Sequence, residues 1–198
     1  MKIAILGWGS LLWDKNPAFD EQHHDWKYDG PELRLEFSRI SGTIDLPKGR
    51  LGALTLVIDN ENGSPCRVAY TISKRNDPAD AISDLRCREG TILKRIGYWY
   101  ADQSNKCVPD VPDGLLDWAY EIGLGAVIWT GLESNFQKET NNQFSIETAL
   151  EHLQGLSVEA KAKAAEYIWR TPDFVKTPLR KALEGHPWFA MRQAQPDE

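Results

Sequence analysis

The stretch that decides how the fold begins is KIAILGWGSLLWD, residues 2–14. Its apolar residues 2–6 are typical of a short buried strand, and Gly7 and Gly9 predict a sharp turn directly behind that strand. Successive backbone N–H groups in such a turn can bind an anion, for example a carboxylate. A plain connection from a strand into a loop would use the same residues, so the pattern leaves both interpretations open.

Two familiar glycine or serine motifs do not fit this stretch. A dinucleotide-binding turn needs a third glycine at position 12, which is Leu12 in this chain. A nucleophile elbow needs the frame G-x-S-x-G, and Ser10 does not lie in such a frame. We therefore expect neither a dinucleotide site nor a serine nucleophile here.

Strand patterns dominate the chain up to about residue 132, and helical patterns dominate after residue 141. Alternating apolar residues and turn signals predict strands at 2–6, 32–40, 52–59, 67–73, 95–101 and 125–132, with a turn at 60–65. Helical periodicity predicts helices at 78–89 and 114–123, and a helical segment from 142 onwards with breaks near 155–157 and 171–178. We therefore expect an α+β protein with a domain at 1–141 and a helical C-terminal extension, 142–198, packed on it.

The strand predicted at 32–40 has a regular alternation of apolar and polar residues. Its apolar positions are Leu33, Leu35 and Phe37, and the polar positions between them are Glu32, Arg34 and Glu36. Since successive side chains of a strand point to opposite faces, this pattern predicts a half-buried strand. Glu36 is accordingly expected on its polar face.

The composition disfavours several classes of partner and location. The chain has 198 residues and a net charge of -6 without a run of basic residues, which disfavours a nucleic-acid partner. No apolar stretch is long enough to span a bilayer, and the N-terminus does not resemble a signal peptide. The cysteines, Cys66, Cys87 and Cys107, are odd in number and form no CxxC pair, which favours the reducing cytoplasm over a disulfide framework.

Metal and thiol chemistry are not predicted either. His23 and His24 lie in a polar loop, and no H-E-x-x-H spacing occurs in the chain, so we expect no metal site. Cys87 has no histidine close to it in sequence, and we expect it to be a buried structural thiol.

The predicted helix at 78–89 ends with a carboxylate in its apolar stripe. Ile82, Leu85 and Glu89 have the spacing i, i+3, i+7 and therefore share one face of the helix. Burial and the negative end of the helix dipole would both raise the pKa of the Glu89 carboxyl, as a proton acceptor near neutral pH requires. The alternative is a Glu89 whose head lies in water or pairs with Arg86 or Arg88.

Taken in order, these segments resemble a known superfamily. The segments are GWGSLLWD, CRVAYTIS, DLRCREG and RIGYW, and they resemble the gamma-glutamylcyclotransferase superfamily, most closely its ChaC-like members, over roughly residues 1–132. The family pattern Y-G-S-L-(I/M)-W matches at Gly9, Ser10, Leu11 and Trp13, and its R-E and G-Y match at Arg88–Glu89 and Gly97–Tyr98. The tyrosine of the family pattern is Trp8 here, which removes a phenol hydroxyl.

The resemblance implies a fold and a reaction. The fold is a small, partly closed mixed β-barrel with flanking helices. In the reaction, the α-amine of a γ-glutamyl compound attacks its own γ-carbonyl, so that 5-oxoproline forms and the amine partner leaves. This chemistry requires no metal, flavin or nicotinamide cofactor. The resemblance assigns Glu89 to proton transfer, and it assigns substrate binding to Gly7, Trp8, Gly9, Ser10, Leu11 and Tyr98.

Other functions remain compatible with the sequence. One is a catalytically silent protein that binds a small ligand on the same scaffold, and another is an interaction domain whose interface is the helical extension. The presence of Glu89 favours the enzyme, whereas Trp8 and the extension favour the silent protein. Glutathione, a γ-glutamyl amino acid and a γ-glutamyl amine all fit as substrates of the enzyme. Tyr98 fits either a pocket or the core.

Overall fold

The computed structural model describes residues 1–41, 44–45, 49–50, 52–102, 111–187 and 189, so that Cys107 lies outside the described residues. The described residues confirm the α+β class. Their strands are β1 Ile3–Gly7, β2 Glu32–Ser41, β3 Ile44–Asp45, β4 Gly49–Arg50, β5 Ala53–Ile58, β6 Ser64–Arg67, β7 Ala69–Ile72, β8 Ile96–Tyr100 and β9 Ala126–Thr130. Their α-helices are α1 Pro17–Asp20, α2 Pro78–Arg88, α3 Leu115–Glu121, α4 Phe136–Thr140, α5 Ile146–Gly155, α6 Val158–Arg170 and α7 Pro178–Glu184. Within this part of the chain, no helix combines the length and the apolar character needed to cross a membrane.

The chain divides into two compact units that alternate along the sequence. The first unit consists of Met1–Leu33 and Arg67–Leu132, and the second consists of Arg34–Cys66 and Glu133–Glu198. The residues of the predicted helical extension therefore group with residues 34–66. The division into folding domains at 1–141 and 142–198 stays a prediction.

A four-stranded sheet with the order β7-β1-β9-β8 forms the centre of the first unit. β1 pairs in parallel with β9, with Ile5 opposite Ile128, whereas β7 and β8 are antiparallel to their neighbours. Since β1 and β9 run in the same direction, their carboxyl ends, Gly7 and Thr130, lie at the same edge of the sheet. β8 begins at this edge, because its first residue, Ile96, pairs with Thr130.

Helix α2 covers one face of this sheet, where it contacts β1, β8 and β9. It begins as the sequence predicts, with Asp77 accepting a hydrogen bond from the Ala79 N–H at 2.9 Å and with Pro78 in the first turn. The core between helix and sheet consists of Ile3, Ile5, Leu11, Phe19, Ala81, Ile82, Leu85, Ile96, Ala126 and Ile128. Burial of this apolar face is what fixes α2 against the sheet.

The predicted barrel is not found among the described strands. The four-stranded sheet is open, with β7 and β8 at its edges, and β5, β2 and β6 form a separate sheet in that order. The two strands predicted at 52–59 and 67–73 are therefore not neighbours, because β2 lies between β5 and β6.

The predicted strand at 67–73 is divided because its backbone changes partners at Val68. The Val68 N–H donates to the Pro31 carbonyl at 3.0 Å, and the Val68 carbonyl accepts from the Gly30 N–H at 3.1 Å. A Cβ on Gly30 would lie 2.5 Å from the Val68 oxygen, so only glycine allows this approach. Residues before Val68 consequently join β2, and those after it join β1.

In the second unit, helix α6 packs against β5. Helices α5, α6 and α7 begin at side-chain caps, and the Ser145 and Thr148 hydroxyls form a capping box at the start of α5. The breaks predicted near 155–157 and 171–178 are confirmed, since α5 ends at Gly155 and α6 ends at Arg170. Helix α4 was missed by the sequence pattern, because it has only five residues.

Glu36 is the clearest correction to the sequence pattern in the second unit. It was expected on the polar face of β2, but its side chain is 0% exposed, because the start of α7 packs on this position. Its carboxylate accepts hydrogen bonds from the backbone N–H groups of Phe37 at 2.7 Å and Leu179 at 3.2 Å. Burial raises the pKa of Glu36 to about 7, although these bonds oppose the shift.

We expect Glu36 to make the protein less stable as the pH rises. Its pKa is higher in the folded state, about 7, than the ordinary 4.5, so the folded state binds the proton more tightly and loses stability as pH rises from 4.5 through 7. The total contribution is roughly 3 kcal/mol. Chemical denaturation at pH 5 and pH 8 should show this loss for the native protein and for Glu32→Gln, an exposed control on the same strand. An equal loss in Glu36→Gln would contradict the assignment.

Gly97 is required by the packing of a tryptophan. It lies opposite Trp129 in the β8–β9 pair, and a Cβ at this position would overlap the indole ring, including Nε1. Trp129 is fully buried and has little room to shift.

Gly97→Ala should therefore destabilise the protein by about 1–3 kcal/mol through overpacking. A thermal melt measures the change. Gly155→Ala is the matched control, because a Cβ there meets nothing within 4 Å, and its melting temperature should stay the same or rise slightly. A melting temperature for Gly97→Ala equal to that of Gly155→Ala would contradict the close contact.

Candidate functional site

The two glycines of the N-terminal stretch serve different purposes. Gly7 is the last residue of β1, and a Cβ there would lie 2.5 Å from the Trp26 ring, so the close approach of Trp26 requires glycine. Gly9 has a φ of 62°, in the left-handed region that favours glycine, and it begins a 3₁₀ helix, Gly9–Leu12. The turn expected to begin at Gly7 therefore begins at Gly9.

The remaining predicted residues of this turn are partly in the core. Trp8 is buried with an extended backbone, and Leu11 belongs to the core beneath α2. Ser10 is only half-buried, and its hydroxyl has no hydrogen-bond partner among the described residues. The Ser10 carbonyl accepts hydrogen bonds from the N–H groups of Trp13 at 3.2 Å and Asp14 at 2.8 Å, which fixes the exit of the turn.

Helix α2 ends at Arg88 in a closed C-terminal motif, in which Glu89 is the C-cap residue. Gly90 has a φ of 56°, its N–H donates to the Cys87 carbonyl, and the Thr91 N–H donates to the Arg86 carbonyl, each at 3.2 Å. This is the Schellman arrangement, in which glycine supplies the left-handed residue after the helix. This arrangement fixes the backbone on both sides of Glu89. Glu89 lies one turn after the buried Leu85, on the apolar face of the helix, as the sequence predicts.

Neither neighbouring arginine pairs with Glu89. Arg88 Nη2 donates instead to the carbonyls of Ser10 at 3.3 Å and Asp14 at 3.0 Å, and Arg86 contacts the Cys87 sulfur. The Glu89 side chain is half-buried and forms no hydrogen bond or ion pair with the residues that the structure describes. Burial raises the pKa of the Glu89 carboxyl, and the charge of Arg88 only partly offsets this effect.

Arg88 therefore joins the end of α2 to the N-terminal turn. Glu89 and the turn Gly9–Leu12 lie at the same edge of the sheet, where β1 and β9 end and β8 begins. Such an edge, at the carboxyl ends of parallel strands, is a common location for ligand sites in α/β sheets.

Buried polar atoms without hydrogen-bond partners occur along this edge. They are Arg88 Nε, Thr91 Oγ1 and Thr130 Oγ1, and none of them has a partner within the described part of the chain. Buried polar groups are normally hydrogen-bonded, so the three atoms indicate that a polar ligand or water completes the site. The sequence pattern missed Thr91 and Thr130, since a single threonine at the end of an element carries no recognisable signal.

Tyr98 lies on the same face of the sheet as α2. It is half-buried, packs against the core that contains Leu85 and Leu11, and stacks on Tyr100 with ring centroids 5.2 Å apart. The expectation that Tyr98 and Tyr100 point to the same side is confirmed. Burial raises the pKa of the Tyr100 hydroxyl, and the nearby Tyr98, Asp77 and Asp102 add to this effect.

The expectation that Cys87 is a buried thiol is wrong. Cys87 is an exposed thiol rather than a buried one, because it lies two residues after the buried Leu85, on the other side of α2. His23 lies in the polar segment between α1 and β2, where its side chain is buried, with 7% exposed. Among the described residues, no group of histidine, cysteine and carboxylate side chains is arranged to hold a metal ion.

The chain matches no family model, no curated protein and no solved structure. A function is therefore inferred from the chemistry of the residues themselves. The residues that the structure brings to one edge are Glu89, the turn after Gly7, Arg88 and the two threonines. Tyr98 contributes from the neighbouring face.

We expect Arg88 to hold the turn in place and to lower the pKa of Glu89. In Arg88→Gln the pKa of Glu89 should rise further, because the neighbouring positive charge is lost. The Asp14 N–H should also exchange with solvent faster, since its loop loses two hydrogen bonds to the guanidinium. NMR titration of the glutamate carboxyl carbons and amide exchange measure the two effects. Arg86→Gln is the control, and an equal response in both variants would contradict the role of Arg88.

Proposed function

We propose that the protein is a gamma-glutamylcyclotransferase-like enzyme that releases 5-oxoproline from a γ-glutamyl compound, acting as a cofactor-free lyase or acyltransferase. The observation that carries this proposal is the unpaired, half-buried Glu89 carboxylate, whose pKa is raised, beside the turn at Gly9–Leu12. The proposal does not depend on a closed barrel, because these residues share one edge of an open sheet.

The first step needs a base. The α-amine of the γ-glutamyl group loses a proton to the Glu89 carboxylate, and its nitrogen forms a bond to the γ-carbonyl carbon. A carboxyl group whose pKa is raised by burial is a stronger base than an ordinary glutamate and is better matched to neutral pH. Since the nucleophile belongs to the substrate, neither a serine nor a cysteine nucleophile is required. Ser10 and Cys87 need form no covalent intermediate.

The second step needs an acid, and the same residue supplies it. The protonated Glu89 donates its proton to the departing amine as the original amide C–N bond breaks, and 5-oxoproline remains. One carboxyl group thereby acts first as a base and then as an acid, and it returns to its starting state. The ring closure is intramolecular, so holding the substrate in a folded conformer can supply up to about 7–11 kcal/mol of the acceleration.

The substrate carries an α-carboxylate and develops negative charge on the γ-carbonyl oxygen, so the site needs hydrogen-bond donors. The first N–H groups of a helix have no partner within that helix, which makes those of Gly9 and Ser10 suitable donors. The buried Arg88 Nε–H is a charged donor without a partner among the described residues. The Thr91 and Thr130 hydroxyls are suitable as further donors. Tyr98 would form an aromatic wall.

The activity is tested with a panel of γ-glutamyl compounds. Glutathione, a γ-glutamyl amino acid and a γ-glutamyl amine are incubated with the protein, and 5-oxoproline is measured by mass spectrometry. We expect release from at least one class and a rate that increases with pH through a pKa above that of an ordinary glutamate, because the base must be ionised. Binding without release would instead favour the silent ligand-binding protein.

Glu89→Gln should reduce turnover by roughly 10²–10⁴-fold, because it keeps the size of the side chain and removes the base. The protein should remain folded, since the carboxylate that is lost has no partner in the described chain. Glu121→Gln, at an exposed glutamate of the same unit, should leave turnover unchanged. Full activity of Glu89→Gln would exclude the proposed mechanism.

A further inference from the structure

The first unit contains a cavity of about 280 Å³ whose lining does not include Glu89. It is lined by Leu11 and Leu12 at the end of the N-terminal turn, by residues after this turn, and by α1 and the loop after it, including Trp13, Asp20, His23 and Trp26. Its volume is well above the roughly 30 Å³ that one water molecule takes in the liquid, so it can hold a small organic molecule. His23 is the most deeply buried titratable residue of this lining.

The hydrogen bonds of His23 fix which ring nitrogen carries the proton. Nδ1 lies 2.6 Å from the His24 carbonyl oxygen, and a carbonyl can only accept, so Nδ1 is the donor. The Thr71 hydroxyl donates to the same carbonyl at 2.6 Å, and it lies 3.3 Å from Nδ1. In the neutral ring Nε2 is therefore the acceptor. The ring is held between Phe19 and Trp26, with centroid distances of 4.8 Å and 5.2 Å.

Two acceptors face each other in this cavity without a donor between them. His23 Nε2 is buried and has no hydrogen-bond partner among the described residues, and the nearest carboxylate oxygen is Asp20 Oδ1 at 3.8 Å. This separation is too long for a direct hydrogen bond. The other oxygen, Asp20 Oδ2, accepts from the Asn16 N–H at 3.0 Å, so the carboxylate is held in its position.

We propose that this cavity binds a small molecule through a primary ammonium group, which donates to His23 Nε2 and Asp20 Oδ1. An ammonium group has three N–H donors and a positive charge, so it satisfies both acceptors and neutralises the carboxylate. The indoles of Trp13 and Trp26 in the lining suit the same cation. The proposal is independent of the reaction at Glu89.

The other charges around the cavity are compatible with a cation. Asp14 and Asp25 are exposed and line the cavity, as do Lys15, Lys74 and His24. The Lys74 ammonium donates to the Glu21 carbonyl at 3.1 Å. The lining therefore contains Asp14, Asp20 and Asp25 against Lys15 and Lys74, which favours a positively charged guest.

The probe is n-butylamine, which is charged at pH 7.5, and n-butanol is the neutral compound of similar shape. Both are titrated into the full-length protein while the ¹⁵N chemical shift of His23 Nε2 is recorded. We expect a saturable shift with butylamine that has the direction of hydrogen-bond formation, and no saturable shift with butanol. An equal response to both compounds would overturn the proposal. The absence of a response to either compound would also overturn it, because the cavity would then hold only water.

Asp20→Asn should weaken butylamine binding roughly tenfold or more, since it removes the charge and keeps an oxygen for the Asn16 N–H. Asp117→Asn removes an exposed aspartate of the same unit, and its affinity should match that of the native protein. Unchanged butylamine affinity in a folded Asp20→Asn variant would overturn the proposal. If that variant does not fold, the comparison of butylamine with butanol on the native protein tests the proposal instead. These experiments measure amine binding and not 5-oxoproline release, so failure of this proposal can be distinguished from failure of the proposed reaction at Glu89.

Discussion

The parallel pairing of β1 with β9 is the constraint on which the candidate site depends. It brings two distant carboxyl ends, Gly7 and Thr130, to one edge of the sheet, and β8 begins at the same edge because it pairs antiparallel with β9. A parallel neighbour cannot be reached through a tight hairpin, so the chain between β1 and β9 must leave the edge and return. That long connection supplies α2, whose C-terminal end carries Arg88 and Glu89 back to the turn after β1.

The hydrogen bonds of Arg88 determine whether Glu89 has an ion-pair partner at this edge of the sheet. A guanidinium directly before a glutamate could pair with it, and such a pair would lower the pKa of the carboxyl and occupy both groups. The Schellman end of α2 and the carbonyls of Ser10 and Asp14 draw Arg88 to the turn instead. As a result, the arginine stabilises the turn, and Glu89 remains a partly buried carboxylate whose pKa is raised.

Glu36 and Glu89 show how two buried carboxylates differ in what they do. Both have a raised pKa because burial disfavours their charge. Glu36 accepts backbone hydrogen bonds from Phe37 and Leu179, so it is satisfied inside the second unit. Glu89 has no such partner in the described chain, which is why the proposed function assigns proton transfer to it. Burial alone therefore does not identify a catalytic carboxylate, whereas burial without a partner, next to other unpartnered donors, is a stronger indication.

The sequence by itself determined the features that depend on local periodicity and capping. The apolar run that forms the first strand, the Asp77–Pro78 start of α2 and the position of Glu89 on its apolar face need only neighbours within a few residues, and the structure has all of them. The tertiary structure decided the features that depend on distant partners. The predicted strand 67–73 divides at Val68 because the Gly30 N–H donates to the Val68 carbonyl and the Pro31 carbonyl accepts from the Val68 N–H. Glu36 is buried because the start of α7 packs on it, and His23 is buried between the rings of Phe19 and Trp26. Glu89 stays unpaired because Arg88 binds the carbonyls of Ser10 and Asp14 instead. These carbonyls lie more than seventy residues earlier in the sequence, a separation that no local pattern can reveal.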